Sequence, residues 1–574
     1  MLKLTRNRFL TGFVIGIFVA LLLVAIVSAD AATTLESLGG MWRLLIVGGV
    51  VGVTYAGLFR PQISTPANDL MNGVITSIVA WIVLALNLFP LFEINTPMWD
   101  VSTASDVAPK LIAYALLGGG IGLLYGIVAR RLKLSADTIG IDDSTKKTRV
   151  LIVGGGYAGV SAAEQLDQAF LRDPTVEITL ISKTNYLLHT PMLSEVSSSA
   201  VSPQNISPPL RSFFQDVRVV VGDVATVDWA KQTVELVPNA RSPQRTLSFD
   251  HLAITAGGVP NFFGNKGVEN HCYTFKSLHD SMVLRNQIID MFERADFEQY
   301  AARKQCMLTF VVIGGGFAGV ELIGGLNDFG RGMLPNYRNI SPDEVRFVLI
   351  HTRDVILPEL SEALGRFAQE KMAARGVEFI LNKRVTGAEK GAVLLGDVRV
   401  EAETVVWTAG NRPHPIVDKL GVTLTRRGQI SVAATLQSQE QPLLWAAGDC
   451  AQIPDPNNEG EFYPPTAQHA LREGKKLGAN ISGVIRGQAP KPFNFKTLGS
   501  LAALGHQLAV AELFGYRFSG FLAWLMWRGI YLSKLPSLEK RTRVLLDWLL
   551  DILFPPDIVQ TIHFDEPDDG QAAA

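Results

Sequence analysis

An α/β fold is what this sequence predicts, centred on parallel sheets and flanked at both ends by helices of another kind. Three observations predict it. An apolar strand, a glycine-rich turn and a helical segment follow one another from Arg149 to Gln168, and the same order recurs from Leu308 to Glu321. Apolar strands ending in small residues occur at 249–258, 405–410 and 443–450. The first 130 residues are instead four apolar stretches, and from Phe514 to Ile562 the chain turns apolar and aromatic again.

A length of 574 residues implies three to four domains. Apolar residues make up 48% and charged residues 18%, against about 25% charged in soluble domains. With a mean hydropathy of +0.21, part of the chain is not solvated by water. The 52 basic and 54 acidic residues are well mixed and leave a net charge of −2, so no broad basic field attracts nucleic acid. Cys272, Cys306 and Cys450 lie far apart, which excludes a disulfide scaffold, a four-thiolate metal or iron–sulfur site and a local dithiol. No metal site is indicated, and redox chemistry falls to a bound organic cofactor.

The four apolar stretches run from about Phe9 to Ala29, Met41 to Phe59, Leu70 to Phe92 and Val107 to Ala129, each near the roughly 20 residues that cross a bilayer as a helix. Lys3, Arg6, Arg8, Arg60, Arg130, Arg131 and Lys133 flank one side, and Asp30, Glu36, Glu93, Asp100 and Asp106 the other. By the positive-inside rule, residues 1–130 form a four-helix domain integral to the cytoplasmic membrane, and the chain beyond residue 130 faces the cytoplasm. The first stretch could instead be a signal peptide cut near Val27-Ser28-Ala29, although its length favours an uncleaved helix; cleavage would leave three spans and the same topology. Gly48, Gly49, Gly52, Tyr55 and Arg60 recur as Gly118, Gly119, Gly122, Tyr125 and Arg130, at a constant offset of 70. The region reads as two copies of one helical hairpin, with glycines four apart admitting close helix contact. No Asp, Glu or His falls deep in a span, so an anchor is expected rather than a pump.

After a linker at 131–148, the strand Arg149–Val153 leads into Gly154-Gly155-Gly156-Tyr157-Ala158-Gly159. In GxGxxG, Gly154 permits the tight turn, Gly156 lets a pyrophosphate reach the backbone, Gly159 lets helix and strand touch, and the helix N-terminus faces the phosphates. The second copy is Gly314-Gly315-Gly316-Phe317-Ala318-Gly319, followed by Val320 and Glu321. Two such cradles fit two Rossmann-like dinucleotide-binding domains, one for FAD and, inserted into it, one for a nicotinamide nucleotide. The strands ending at Ala256-Gly257 and Ala409-Gly410 suit a chain crossing between domains beside a cofactor. The strand ending at Gly448-Asp449 delivers a carboxylate that either binds a flavin ribityl hydroxyl or caps a helix.

On these motifs the chain resembles the type II NADH dehydrogenases, single-subunit NAD(P)H:quinone oxidoreductases, over about 149–560. The glycine loops and Gly448-Asp449 are shared with a wider superfamily, whereas Pro464-Pro465-Thr466-Ala467-Gln468-His469-Ala470 is closer to this family's own pattern. The resemblance implies that Ala467 and Gln468 line the quinone side of the flavin, with Arg472 standing where the family has a second Gln. It implies that Glu321 sits near nicotinamide and flavin, coupling hydride transfer to protonation. It places Tyr186 to Leu193, with Thr190 and Pro191, beside the flavin ring, and Lys183 and Val224 with the FAD contacts. The second strands end in Ser182 and His351, where a carboxylate commonly binds ribose. Ser182 can still bond a hydroxyl. The missing acid at His351, with Arg353 nearby, admits NADPH as well as NADH, unless Arg353 is simply a solvated charge.

The expected domains are therefore 149–275 and 413–500 for FAD, 276–412 for NAD(P)H, and 501–562 as C-terminal membrane-associated helices, with a disordered acidic tail at 563–574. In that C-terminal region the acids Asp547 and Asp551 are expected on one helical face, and Leu545, Trp548, Leu549 and Ile552 on the other, resting on lipid. Packing on the soluble domain or in a homodimer is the competing reading. The expected reaction passes a hydride from NAD(P)H to FAD and two electrons to a membrane quinone, without proton pumping. A sulfide:quinone oxidoreductase, which needs paired cysteines, and a non-catalytic membrane-tethered redox sensor are the alternatives.

Overall fold

The computed structural model describes residues 2–28, 35–58, 66–81, 83, 101–131, 147–238, 245–458 and 460–562, and the chain divides into two compact units, 1–143 and 144–574. The expected tail at 563–574 and most of the linker at 131–148 lie outside the described residues.

Unit 1 contains helices α1 (Leu2–Ser28), α2 (Leu35–Leu58), α3 (Pro66–Ala80) and α4 (Val101–Arg131). α1 packs on α2 and α3 on α4, and glycine makes both contacts possible. A Cβ on Gly48 or Gly52 would enter the backbone of Gly16 or Gly12, and one on Gly118 or Gly122 would enter that of Gly73 or Asp69. The offset-70 repeat is thus two hairpins joined by the same device. One expectation changes. Among the described residues only Leu111–Ala129 is long and apolar enough to cross a membrane, while Phe9–Val24 and Leu44–Gly57 are shorter apolar stretches. The described α3 has 15 residues, about 22 Å at 1.5 Å per residue, and most of the rest of its expected span, 84–92, lies outside the described residues. Just before that expected span, Asp69 lies in the first turn of α3, has no exposed surface and accepts the Tyr55 hydroxyl at 3.1 Å.

Unit 2 is built on two five-stranded parallel sheets. The first runs Leu444–Ala446, His251–Ile254, Thr148–Val153, Val176–Ser182, Arg218–Val221. The second runs Val377–Ile380, Arg346–Ile350, Thr309–Ile313, Thr404–Trp407, Tyr273–Thr274. Strands buried on both faces read as continuous runs of Val, Ile and Leu, as at Val150–Val153 and Phe310–Ile313. In each sheet the strand order reverses around the strand that precedes the glycine turn, which opens a crevice at its carboxyl end. Gly258–Pro260 and Asn411–Pro413 pair antiparallel, so the two crossings between sheets run side by side. Tyr273–Thr274, which the expected boundary at 275 leaves with the first domain, is an edge strand of the second sheet.

The helices around the site are α5 (Tyr157–Ala169), α6 (Leu193–Ser197), α7 (Phe317–Met333), α8 (Ala467–Ile485), α9 (Gly520–Lys534) and α10 (Leu538–Leu553). A three-stranded antiparallel sheet, Gly499–Ala503, Ala509–Leu513 and Tyr516–Ser519, leads into α9. In α10 the expected faces are partly wrong. Val544 and Trp548 are buried with the acids, because positions 544, 547, 548 and 551 share one face at i, i+3, i+4 and i+7. Asp547 accepts from Ser202 N and Asn205 Nδ2, and Leu545, Leu546, Leu549, Leu550 and Leu553 point outward.

α8 lies against α5 through Gly474 and Gly478, where a Cβ would strike the carbonyls of Ala158 and Ala162. Gly474→Ala is expected to cost about 1–3 kcal/mol by overpacking, read as a lower Tm. Gly529 in α9 faces open space, so Gly529→Ala is expected to stabilise by about 0.5–1 kcal/mol and raise the Tm in the same assay.

Candidate active site

The first cradle sits at the end of the central strand of the first sheet. Gly154 has φ +117°, which an L side chain rarely adopts. A Cβ on Gly159 would collide with the carbonyl of Gly154, whereas one on Gly156 meets nothing within 4 Å. The turn is therefore closed toward the sheet and open toward a cavity of about 280 Å³. Gly154, Gly156, Tyr157, Ser182, Lys183, Thr190, Val224 and Ala256 line that cavity, as the sequence and the resemblance imply. Tyr186 and Leu188, from the segment the resemblance puts beside the flavin ring, line it too, and Thr184, Asp223, His414 and Ile416 also line it but escaped the sequence reading; they come from loops whose approach no local pattern records. Ala158 and Gly159 pack behind the turn, and Pro191, Gly257, Gly448, Asp449 and Ala467 do not line this cavity.

Asp449 is no helix cap. It lies in a short 3-10 turn with no capping bond, and Ala451–Gln452 continues as a strand beside Ile430–Ser431. Its carboxylate accepts from Asn411 Nδ2 at 2.7 Å and faces Lys276 Nζ at 3.7 Å. Behind it, the buried carboxylate of Glu473 accepts the Gly448 amide at 2.8 Å. Burial, with Asp449 nearby and against that amide bond, pushes Glu473 up to about 7. Glu473 is the partner that sequence reasoning missed, since it sits 25 residues away on α8.

The second cradle repeats the first. Gly314 has φ +120°, and a Cβ on Gly319 would strike the Gly314 carbonyl. His351 Nδ1 accepts the Gly315 amide at 3.1 Å, which leaves its Nε2 buried and without a partner. Arg353 is exposed, Phe317 packs partly into the second core, and Ala318 is exposed. Ala409 and Gly410 end the neighbouring strand, Gly410 with φ +106° beside Phe263. Glu359 approaches the turn as well: a Cβ on Gly316 would lie 3.0 Å from its Oε1.

Glu321, one turn into α7, is ringed by protein yet keeps some surface on a second cavity. Its Oε1 accepts from Trp527 Nε1 at 3.0 Å and Ala503 N at 3.1 Å. Burial outweighs both bonds and pushes the carboxyl up to about 8. Rings run from Trp527 to Tyr531, His189 and Tyr157, and Tyr157 Oη lies 2.7 Å from His189 Nδ1. Ala467 and Gln468 open α8, where Gln468 Nε2 donates to the Gly499 carbonyl at 3.2 Å. Arg472 bonds back to the Gln468 carbonyl at 2.8 Å and stacks 4.2 Å over the Phe495 ring. Among the described residues no group of His, Cys, Asp and Glu could hold a metal ion.

Two dinucleotide cradles in one unit, with a buried carboxyl past the second, define a pyridine nucleotide-linked oxidoreductase. The model of the pyridine nucleotide-disulphide oxidoreductase family matches residues 148–474, and that of the NDH2 C-terminal domain matches 497–557. The type II NADH:quinone oxidoreductase NdhA of Mycobacterium tuberculosis is 30% identical over 70% of this chain and 86% of its own length. A second enzyme of that organism, Ndh, is 29% identical over 71% and 89%. NDH2 of Plasmodium falciparum, solved in complex with NADH, aligns with a TM-score of 0.66 at 19% identity over 72% of this chain and all of its own. The chain belongs to the type II NADH:quinone oxidoreductase family.

The first cradle fits FAD: a Cβ-sized space is open at Gly156, Ser182 at the end of the second strand lines the cavity, and the cavity continues to Thr190. Gly156→Val is expected to keep the far-ultraviolet circular dichroism of the native chain and to purify with less than a tenth of its flavin absorbance. The raised carboxyl of Glu473 carries a stability cost that grows as pH rises from about 4.5 through 7. Glu473→Gln retains an acceptor for the Gly448 amide. It is expected to melt like the native protein near pH 5 and above it near pH 8, followed by thermal melts across that range.

Proposed function

We propose that this protein oxidises NADH, and accepts NADPH as well, at a bound FAD and delivers two electrons to a lipid quinone. The observation that carries the reading is the pairing of two complete cradles with the Pro464–Ala470 turn in the same unit. FAD supplies the hydride and electron chemistry that no side chain here can perform. The first sheet's segments, 149–275 and 413–500, would hold it, with Asp449 directed at its ribityl chain and Ala467 and Gln468 on the quinone side. The segment 276–412 would hold the nucleotide. Glu321 is the group placed to hold or release a proton near the reacting atoms. Arg472, turned onto Phe495 and the backbone, leaves Gln468 as the amide available to a quinone oxygen.

The sulfide alternative finds no support in the thiols. Cys272, Cys306 and Cys450 are all free, and burial pushes them up to about 12, 11 and 12, far from thiolate formation.

The protein acts at a membrane, in this reading. The outward leucines of α10 and Phe521, Leu522 and Leu525 of α9 form an apolar surface, while Asp547 and Asp551 of α10 turn inward. Unit 1 has a similar arrangement, with Phe13, Phe18, Leu22, Ile112 and Leu116 exposed and Asp69 buried. A hydrocarbon surround explains an apolar exterior over a polar interior. Unit 1 would be the integral anchor, and unit 2 would face the cytoplasm.

The orphaned Nε2 of His351 is a donor available to a nucleotide. His351→Asp is expected to repel a 2′-phosphate, cutting kcat/KM for NADPH at least ten-fold, about 1.4 kcal/mol, and that for NADH less than three-fold. Steady-state oxidation of both nucleotides with a short-chain quinone reads the ratio. No quinone-dependent turnover with either nucleotide would sink the assignment.

A further inference from the structure

The hydrogen count of the reaction leaves one proton to be found. NADH gives up a hydride, two electrons and one proton, whereas a quinone becomes a quinol by taking two electrons and two protons. The balance is NADH + H⁺ + Q → NAD⁺ + QH₂, so each turnover draws one proton from water.

A second cavity of about 280 Å³, separate from the first cradle, has Glu321 in its wall together with Glu195, Asp328, His506, Arg528 and Asp551. These come from every element packed around it: Glu195 from α6, Glu321 and Asp328 from α7, His506 from the hairpin before α9, Arg528 from α9 and Asp551 from α10. Arg331 also lines it. Arg375 and the His506 amide hold Asp328 at one edge. From the edge inward, His506 Nδ1 lies 3.7 Å from Asp551 Oδ2, which lies 3.9 Å from Arg528 Nη2, which lies 3.7 Å from Glu195 Oε1. Side-chain exposure is 34% at His506 and 20% at Asp551, against 9% at Arg528 and 14% at Glu195. Trp548 Nε1 orients Glu195 through its Oε2 at 2.9 Å, as Trp527 orients Glu321. Arg528 lies between the Trp524 and Trp548 rings, its Nε buried and unpartnered.

We propose that this cavity is the proton inlet of the quinone reductase, with His506 and Asp551 at its mouth, Glu195 as carrier and Glu321 as the inner terminus. The inference rests on the quinone-reducing function proposed above. The gaps of 3.7 to 3.9 Å are too long for direct hydrogen bonds, and a polar cavity of this size takes water to bridge them. Burial pushes Glu195 up to about 7, opposed by Arg528 and the Trp548 bond, and pushes Asp551 up as well. With Glu321 up at about 8, the two inner carboxyls both exchange protons near neutral pH, as a relay requires.

The test is stopped-flow on the full-length FAD-loaded protein, comparing flavin bleaching by NADH with reoxidation by a short-chain quinone. In Glu195→Gln the ratio of reoxidation to bleaching rates is expected to fall at least ten-fold at pH 7.5, and Glu195→Asp to restore most of it. Asp551→Asn is expected to slow reoxidation less, with recovery on adding imidazole as a small proton carrier, which a purely structural defect would not show. Without any turnover, the pH titration of tryptophan emission is expected to lose a transition near pH 7 in Glu195→Gln, because Trp548 reports on that carboxyl. Reoxidation of Glu195→Gln at the native rate would overturn the proposal. If that variant loses its flavin, Asp551→Asn decides, and slow reoxidation that imidazole leaves unchanged overturns it equally. Native flavin bleached by NADH but never reoxidised by quinone would instead bring down the parent function.

Discussion

Because the carbonyl of Gly154 touches the backbone of Gly159, and that of Gly314 touches Gly319, each of these helices begins flush against the strand before it. The contact allows no side chain on the inner face of the turn. It leaves amides at the helix N-terminus facing outward, where a pyrophosphate is stabilised by the helix dipole. Reversal of strand order at the same place opens the crevice that the rest of the unit lines. Glu473, Ala467 and Gln468 then reach the first cradle's neighbourhood because α8 can lie on α5, and glycine at 474 and 478 is what lets it, while Asp449 arrives at the end of the first sheet's own Leu444–Ala446 strand.

The chemistry depends on burial rather than on unusual residues. Glu195, Glu321 and Glu473 are ordinary carboxyls, each with one or two hydrogen-bond donors, and in each case desolvation exceeds what those donors return. Carboxyls raised toward neutrality are suited to moving protons. The cysteines, Cys450 buried and Cys272 and Cys306 partly so, are raised out of the useful range by the same desolvation. One physical effect therefore both equips the acids and silences the thiols.

The C-terminal helices connect the two themes. They present leucines outward and, on their inner faces, Trp527, Arg528 and Trp548, which contact Glu321 and Glu195, and Asp551, which faces Arg528. A segment with an apolar outer face thus also completes the wall around the Glu321 carboxyl. The apolar outer face and the inner cavity wall are carried by the same two helices.

By itself the sequence determined the two cradles, the parallel sheets behind them, the crossings at 249–258 and 405–410, and the hairpin repeat of unit 1. These are local: period, glycine spacing and strand composition act within about 20 residues. It also showed Glu321, but only through resemblance. What only the tertiary structure decided is who meets whom across long separations. Glu473 reaches Gly448 from α8, His414 and Asp223 enter the first cavity from loops, and Glu195 faces Arg528 across more than 300 residues of chain. The face of α10 that carries Trp548 and the burial of Asp69 were likewise decided by packing. Periodicity states that two faces differ, whereas the surface each face meets sets which one is buried.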